Sequence, residues 1–257
     1  MNSKHLSRIV AGLACLAASV AASEAGATYS IVAADSVSGQ VGVAVTSCVG
    51  MQSLSSVYSF VPGVGAVAAQ ARQNLIGKDY ATLLLARGSS PSAIVDRLSS
   101  NSFDIFAPRR QYGIVTTRGA AAAWTGARNG TVASDAQGDL DGLAYSVQGN
   151  ILTSTEVITQ AEMGFRGDAC DLPARLMAAL EAGALNGQGD QRCITSKGTP
   201  SDAGYLRVDN ADGSGPLIEL DVADTAAASG VEALRAAFDT WRASHACAPV
   251  NMCPFRL

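Results

Sequence analysis

AGATYSIVAAD, Ala25 to Asp35, decides how the rest of the chain is read. Its first three residues, Ala25-Gly26-Ala27, form an A-x-A cleavage site. They close a segment that starts basic with Lys4 and Arg8 and continues through an apolar run from Ile9 to Ala22, as a secretory signal does. That run falls short of the ~18 residues a transmembrane span needs. Ser19-x-Ala21 and Ser23-x-Ala25 also satisfy the small-residue rule, so cleavage after Ala27 is the favoured of three positions. The residues that follow, Thr28 to Ala34, are β-rich. Cleavage after Ala27 would therefore leave Thr28 as the first residue of the mature protein, at the end of a strand.

With residues 1–27 assigned to the signal, the remainder of the 257-residue chain is long enough for one substantial core and short for two, and is read as a single domain, 28–246, with a tail at 247–257. Lys4, Arg8 and Glu24 leave with the signal, so the mature chain is slightly more negative than the −4 of the whole. It has no basic run, which argues against a nucleic-acid partner. No membrane association is expected after cleavage, and a homo-oligomer is compatible with this composition. Five cysteines remain, in a compartment that favours disulfides. The expected pairs are Cys170 with Cys193 and Cys247 with Cys253, the latter stapling the tail, and Cys48 is expected as a free, small buried hydrophobe.

Working outward from Thr28, Val41 to Ser47 is a second β-rich run across the turn-like Asp35 to Gly39, giving an opening hairpin. Gly63 to Arg72 reads as a strand of small residues. Asp79 to Arg87 and Pro91 to Ser99 read as helices, the second capped by Ser90 with Pro91 at its first position. Gln111 to Thr117 and Ala120 to Thr125 form another hairpin. Gly142 to Gly149 is a strand running into Thr153-Ser154-Thr155-Glu156, a capping-box pattern with Leu152 and Val157 spaced as a staple. Asp171 caps a helix striped by Leu172, Leu176, Leu180 and Ala184. Gly187 to Pro200 reads as loop, Ala203 to Val208 with Pro216 to Val222 as a third hairpin, and Val231 to Ser244 as a last helix. Paired antiparallel strands with helices grouped between them predict an α+β fold of sheets covered by helices.

The residue inventory narrows the chemistry. His245 is the only mature histidine, at the end of the last helix, where a cation complementing the dipole is its expected role. A Ser-His-Asp triad and a histidine-rich zinc site therefore lack material, and no metal or cofactor is expected. Lys78 and Lys197 are the only mature lysines, so a Ser-Lys dyad has few candidates. Attention turns to the α-amino group, whose pKa of ~7.7–8.0 suits a base near neutrality. Gly63-Val-Gly65-Ala-Val-Ala68 fits a dinucleotide-binding pattern, but no clear amphipathic helix and no acid about 20 residues on follow it. Small residues on a tightly packed strand explain it better. Asp139 to Gly142 is read as a polar turn rather than half a calcium loop, and the sequon at Asn129 as a turn.

Thr28-Tyr-Ser-Ile-Val-Ala-Ala-Asp35, Gly42-Val-Ala-Val-Thr-Ser-Cys48, Gly63-Val-Gly-Ala-Val-Ala-Ala-Gln70 and Tyr145-Ser-Val-Gln-Gly-Asn150 occur in this order. Together they resemble the family catalogued as domain of unknown function 1028, over essentially Thr28 to Val222. That family in turn resembles the N-terminal nucleophile (Ntn) hydrolases. The resemblance implies a four-layer αββα sandwich and an exported amidohydrolase acting on a peptide, an acyl-amide or a cell-wall fragment. It implies Thr28 as nucleophile with its own α-amine as base. Asn150 is then either the oxyanion donor or a loop residue satisfying backbone groups. Ser47, Gln70 and Asp202 are polar candidates for supporting Thr28. Where Ntn hydrolases often carry an early-strand lysine, this chain offers Arg72, suited to depress the amine's pKa or bind an anionic substrate. A catalytically silent binding protein on the same scaffold, and Cys48 as nucleophile, are the alternatives.

Overall fold

The structure, a computed structural model, describes residues 28–223, 225 and 229–247. The signal segment and residues 248–257, with Cys253, lie outside the described residues. Ten strands and six α-helices follow in order: β1 (Thr28–Asp35), β2 (Val41–Ser47), β3 (Tyr58–Val61), β4 (Gly65–Ala71), α1 (Leu75–Ala86), α2 (Pro91–Ser99), β5 (Arg110–Thr116), β6 (Ala121–Thr125), β7 (Ala133–Leu140), β8 (Leu143–Asn150), α3 (Glu156–Arg166), α4 (Leu172–Gly183), α5 (Gln191–Lys197), β9 (Ala203–Asp209), β10 (Pro216–Val222) and α6 (Gly230–Arg242). The strands make two antiparallel sheets, β10-β9-β2-β1-β8-β7 and β3-β4-β5-β6. The fold is α+β, as the hairpin-rich order predicts.

Because side chains alternate across a strand, β1 serves two cores at once. Tyr29, Ile31 and Ala33 join Val147, Phe165, Leu176, Leu206 and Leu234 in a cluster that α3, α4 and α6 complete. Val32 and Ala34 point the other way, into a cluster with Val43 and Val45 of the same sheet and Ala66, Ala68 and Val115 of the other. The outward face of the smaller sheet, with Val67, Ala69 and Ile114, takes Leu85 of α1 and Ile94 and Leu98 of α2. The glycines and alanines of β4 allow close approach. A Cβ at Gly65 would collide with the Val115 carbonyl, and one at Gly113 with the side-chain oxygen of Gln148 on the facing sheet.

Local chemistry explains most element ends. Ser90 accepts from the Ala93 N–H ahead of Pro91, and Asp171 from the Ala174 N–H. α1 starts earlier than its polar residues suggest, because Asn74 accepts from the Gly77 N–H and caps it. At α3 the expected capping box does not form. Thr153 Oγ1 is drawn to Gln188 Oε1, and Ser154 Oγ takes the Glu156 N–H instead, while Leu152 and Val157 still share one core. A true capping box closes α6, between Ser229 and Glu232. β3, β7 and α5 were not expected; β7 carries alternating polar residues on a sheet edge, and α5 occupies the stretch read as loop.

The expected disulfides are corrected. The bonds are Cys48–Cys193 and Cys170–Cys247, with Cα atoms 5.5 and 5.7 Å apart. Sequence neighbours were the wrong guide, since Cα separation decides pairing. α5 brings Cys193 to the end of β2, so Cys48 is bonded rather than free. Arg242 at the end of α6 makes two 2.7 Å bonds to Asp171, which draws Cys247 to Cys170. Two disulfides are compatible with an oxidising, exported location, and among the described residues no helix is long and apolar enough to cross a membrane.

Candidate active site

Thr28 stands at the start of the strand around which the larger sheet is built. It pairs with Ser47 on one side and Asn150 on the other, so all three side chains share the face turned toward the smaller sheet. Thr28 is 4% exposed, Ser47 and Asn150 fully buried. The Thr28 and Ser47 hydroxyls lie 3.1 Å apart.

Above this trio sits a layer of side-chain amides. Gln111 of β5 donates through Nε2 to the carbonyls of Ser134 and Gly149, at 3.2 and 2.8 Å, and to Thr125 Oγ1. Its Oε1 accepts from Gln70 Nε2 at 2.8 Å and from Asn150 Nδ2 at 3.0 Å. Gln70 Nε2 also reaches the carbonyls of Thr28 and Gln148, both at 3.2 Å, and its Oε1 accepts from Ser30 Oγ at 2.7 Å. Asn150 Nδ2 makes a longer 3.4 Å contact with the Thr28 carbonyl. Gln148 Nε2 bonds Ser30, and Ser146 Oγ donates to Gln148 Oε1. A buried amide left unpaired costs about 1–3 kcal/mol, so closure of this layer is a condition of stability.

Two flanking residues hold uncommon backbone. Ala71, directly after Gln70, has φ +65°, and Ile151, directly after Asn150, has φ +50°. For a β-branched residue this is strained, and such strain concentrates at functional sites.

The turn after β2 is fixed by two buried carboxylates. Asp190 accepts the Cys48 N–H at 2.7 Å, and Asp202 accepts those of Val49 and Gly50 at 2.8 and 3.0 Å. Arg192 and Lys197 of α5 pair with these acids at 3.0 and 2.7 Å. Burial alone would raise the Asp202 carboxyl, but the bonds from Lys197, Gly50 and Val49 outweigh it and hold the group below its ordinary pKa. Cys48, Cys193 and Asp202 lie close enough to hold an ion, yet the sulfurs are bonded to each other and the carboxylate to Lys197.

Thus Thr28, Ser47, Asn150 and Gln70 come together, and Asp202 acts one turn away, on the backbone that follows Ser47. Arg72 lies beyond Gln70 with its guanidinium 4.7 Å above the Phe106 ring, and has no carboxylate partner among the described residues. Lys78 is remote: it donates to the carbonyls of Ser56 and Tyr58, and burial lowers its pKa. His245 stacks on Trp241 beyond α6, exposed. Sequence reasoning missed Gln111, Gln148, Ser30 and Asp190. The signal for the first three was parity: each falls on the alternation that carries the inter-sheet valines and alanines.

No curated protein matches the chain. Among solved structures it is similar to the crystal structure of protein SPO2555 from Silicibacter pomeroyi, described as DUF1028, with 22% identity, a TM-score of 0.68, and coverage of 84% of this chain and 89% of that one. At that identity the likeness concerns the fold. The model of the family of unknown function DUF1028 matches residues 28–233, and the chain belongs to that family.

Proposed function

We propose that the mature chain begins at Thr28 and is an exported Ntn-type hydrolase cleaving an amide bond in a peptide, an acyl-amide or a cell-wall fragment. The observation that carries the reading is the place of Thr28. It opens a central strand, with its side chain on the inter-sheet face and its hydroxyl 3.1 Å from Ser47 Oγ. The three stacked cores, with helices outside both sheets, support the αββα arrangement of Ntn hydrolases. In this reading the α-amine takes the proton of Oγ1 as the oxygen attacks the substrate carbonyl. The resulting ammonium returns the proton to the departing nitrogen. Water then hydrolyses the Thr28 ester by the same route. Ser47 holds the nucleophile's hydroxyl in place, and Arg72, which has no carboxylate partner among the described residues, offers an anchor for an anionic substrate.

A β-lactone that acylates Thr28 tests this. Mass spectrometry is expected to find the adduct on the mature form, and none on Thr28→Ala or on a form retaining Ala27, whose Thr28 nitrogen is an amide. Equal adduct on the mature and Ala27-retaining forms sinks the mechanism. One observation favours the second reading, a silent binding protein: the amides nearest Thr28 are committed to one another. That reading expects ligand affinity to survive Thr28→Ala and no adduct anywhere.

A further inference from the structure

The amide layer has only one consistent orientation, and it leaves one atom over. Carbonyl oxygens only accept, so Gln111 must present Nε2 to Ser134 and Gly149, and therefore Oε1 to its other neighbours. Gln70 is fixed in the same way by the carbonyls of Thr28 and Gln148. Asn150 then faces two acceptors, Gln111 Oε1 and the Thr28 carbonyl, and must give them Nδ2. Turned over, its oxygen would meet both. What remains is Asn150 Oδ1, buried and without a hydrogen-bond partner among the described residues. Asn150 is directly opposite Thr28 across the strand pair, with its amide already at the Thr28 backbone.

We propose that Asn150 Oδ1 is the acceptor for the α-amine of mature Thr28, making Asn150 a positioning residue for the amine rather than a donor to the oxyanion. An acceptor cannot stabilise a negative oxygen. It can take one N–H of the amine and so turn the nitrogen lone pair toward Thr28 Oγ1. While residue 27 is attached, that nitrogen is a peptide amide with a single hydrogen and no basic lone pair; cleavage turns it into an amine with additional N–H groups, a donor that the orphaned oxygen can take. Gln111 sets the arrangement, because its Oε1 accepts from both Gln70 and Asn150 while its Nε2 is held by backbone carbonyls.

An acceptor favours the charged ammonium, so it raises the amine's pKa. The charged groups at this end of the sheets include Asp135 of β7, opposite Gln148, together with Asp190 and Arg192, Asp202 and Lys197, Asp104 and Arg110, and Arg72. All belong to other segments and are unchanged by a substitution at Asn150.

The inference rests on the proposed function in one respect: Thr28 must end the chain. The full chain is to be exported and purified, its N-terminus read, and the α-amine titrated by trace acetic anhydride labelling from pH 5 to 10, with the N-terminal peptide weighed. This reports the amine without requiring turnover. Asn150→Leu is expected to move the labelling midpoint down by about one pH unit, and the near-isosteric Asn150→Asp to move it up by more than one. If the leucine variant does not fold, the aspartate variant decides alone, and a rise under about 0.3 unit overturns the proposal. A midpoint unmoved in Asn150→Leu, even with turnover lost, also overturns it and returns Asn150 to the oxyanion. The expected shifts without any lactone adduct would uphold this inference while removing the nucleophile. A mature terminus other than Thr28 would overturn both.

Discussion

The space between the two sheets has two ends built by the same strands on the same face, and they differ in kind. Along β1 the inward residues read Thr28, Ser30, Val32, Ala34; along β8, from its end backward, Asn150, Gln148, Ser146, Ala144; along β2, likewise, Ser47, Val45, Val43, Val41. On the facing sheet Gln70 gives way to Ala68 and Ala66, and Gln111 to Gly113 and Val115. One half is an apolar core of aliphatics with Tyr58 and Tyr205, the other a mesh of amides and hydroxyls. Aliphatic contacts tolerate small shifts; a buried amide mesh does not, because a displaced donor is left unpaired. The polar half thus trades adaptability for fixed orientation, at the end where Thr28 begins.

The largest effect should come from the bond that anchors the polar end. Cys48 follows Ser47 directly, and its bridge to Cys193 spans 145 residues. Cys48→Ser is expected to lower unfolding free energy by about 3–5 kcal/mol in the chain-entropy model, measured by urea titration. A loss well under 1 kcal/mol would mean that the two buried carboxylates hold the turn unaided. Next, Gln111→Leu keeps volume but removes the hub. It should cost about 2–4 kcal/mol through the buried bonds lost to Gln70, Asn150 and the Gly149 carbonyl. A neutral result would show the mesh to be dispensable. In the apolar half, Val43→Ala should cost only about 1–2.5 kcal/mol by lost burial and a small cavity. It should leave lactone labelling of Thr28 at its normal rate, whereas Gln111→Leu should slow it even where the protein remains folded. Equal slowing by both would erase the distinction between the ends.

How much of this could be read beforehand follows the same division. Strands of β-branched residues bounded by turn residues announced β1, β2, β5, β6 and the β9–β10 hairpin, because burial and alternation are local signals. β7 escaped: Ala133–Leu140 is polar on alternate positions, and its pairing with β8 is a tertiary fact. α5 escaped because Gln191–Lys197 is short, and its role is to deliver Cys193 and Lys197 to the end of β2. Thr28, Ser47, Asn150 and Gln70 were legible as candidates. That they converge depends on a register that no single strand carries. In the sequence Asn150 reads as either an oxyanion donor or a loop residue satisfying backbone groups, and only the partners of Gln111 show which end of its amide is taken. Disulfide connectivity was illegible for the same reason, since it follows chain crossings rather than spacing.

The smallest expected effect sharpens the border of the polar end. Asp202 accepts from Val49, Gly50 and Lys197, and these bonds hold its carboxyl below the ordinary range although burial opposes them. A depressed native pKa means that the unfolded state binds the proton more readily. The contribution is therefore complete above the unfolded value near ~3.9 and is lost as pH falls through the lower native value. Asp202→Asn keeps one acceptor oxygen for the turn and loses the charge beside Lys197. It should cost about 1–2 kcal/mol at neutral pH, as loss of a charge-assisted bond does. As pH falls past the unfolded value near ~3.9 the difference should begin to shrink, since the unfolded wild-type chain then takes up the proton first. Urea titrations of both proteins at pH 7, 4 and 3 measure this, with Asp104→Asn as a companion, because Asp104 is held low by Arg110, Phe106 and Asn74 against its own burial. A gap between wild type and Asp202→Asn that stays constant from pH 7 to 3 would show that the turn needs the shape of Asp202 and not its charge. The comparison of the two ends would then rest on the amides alone.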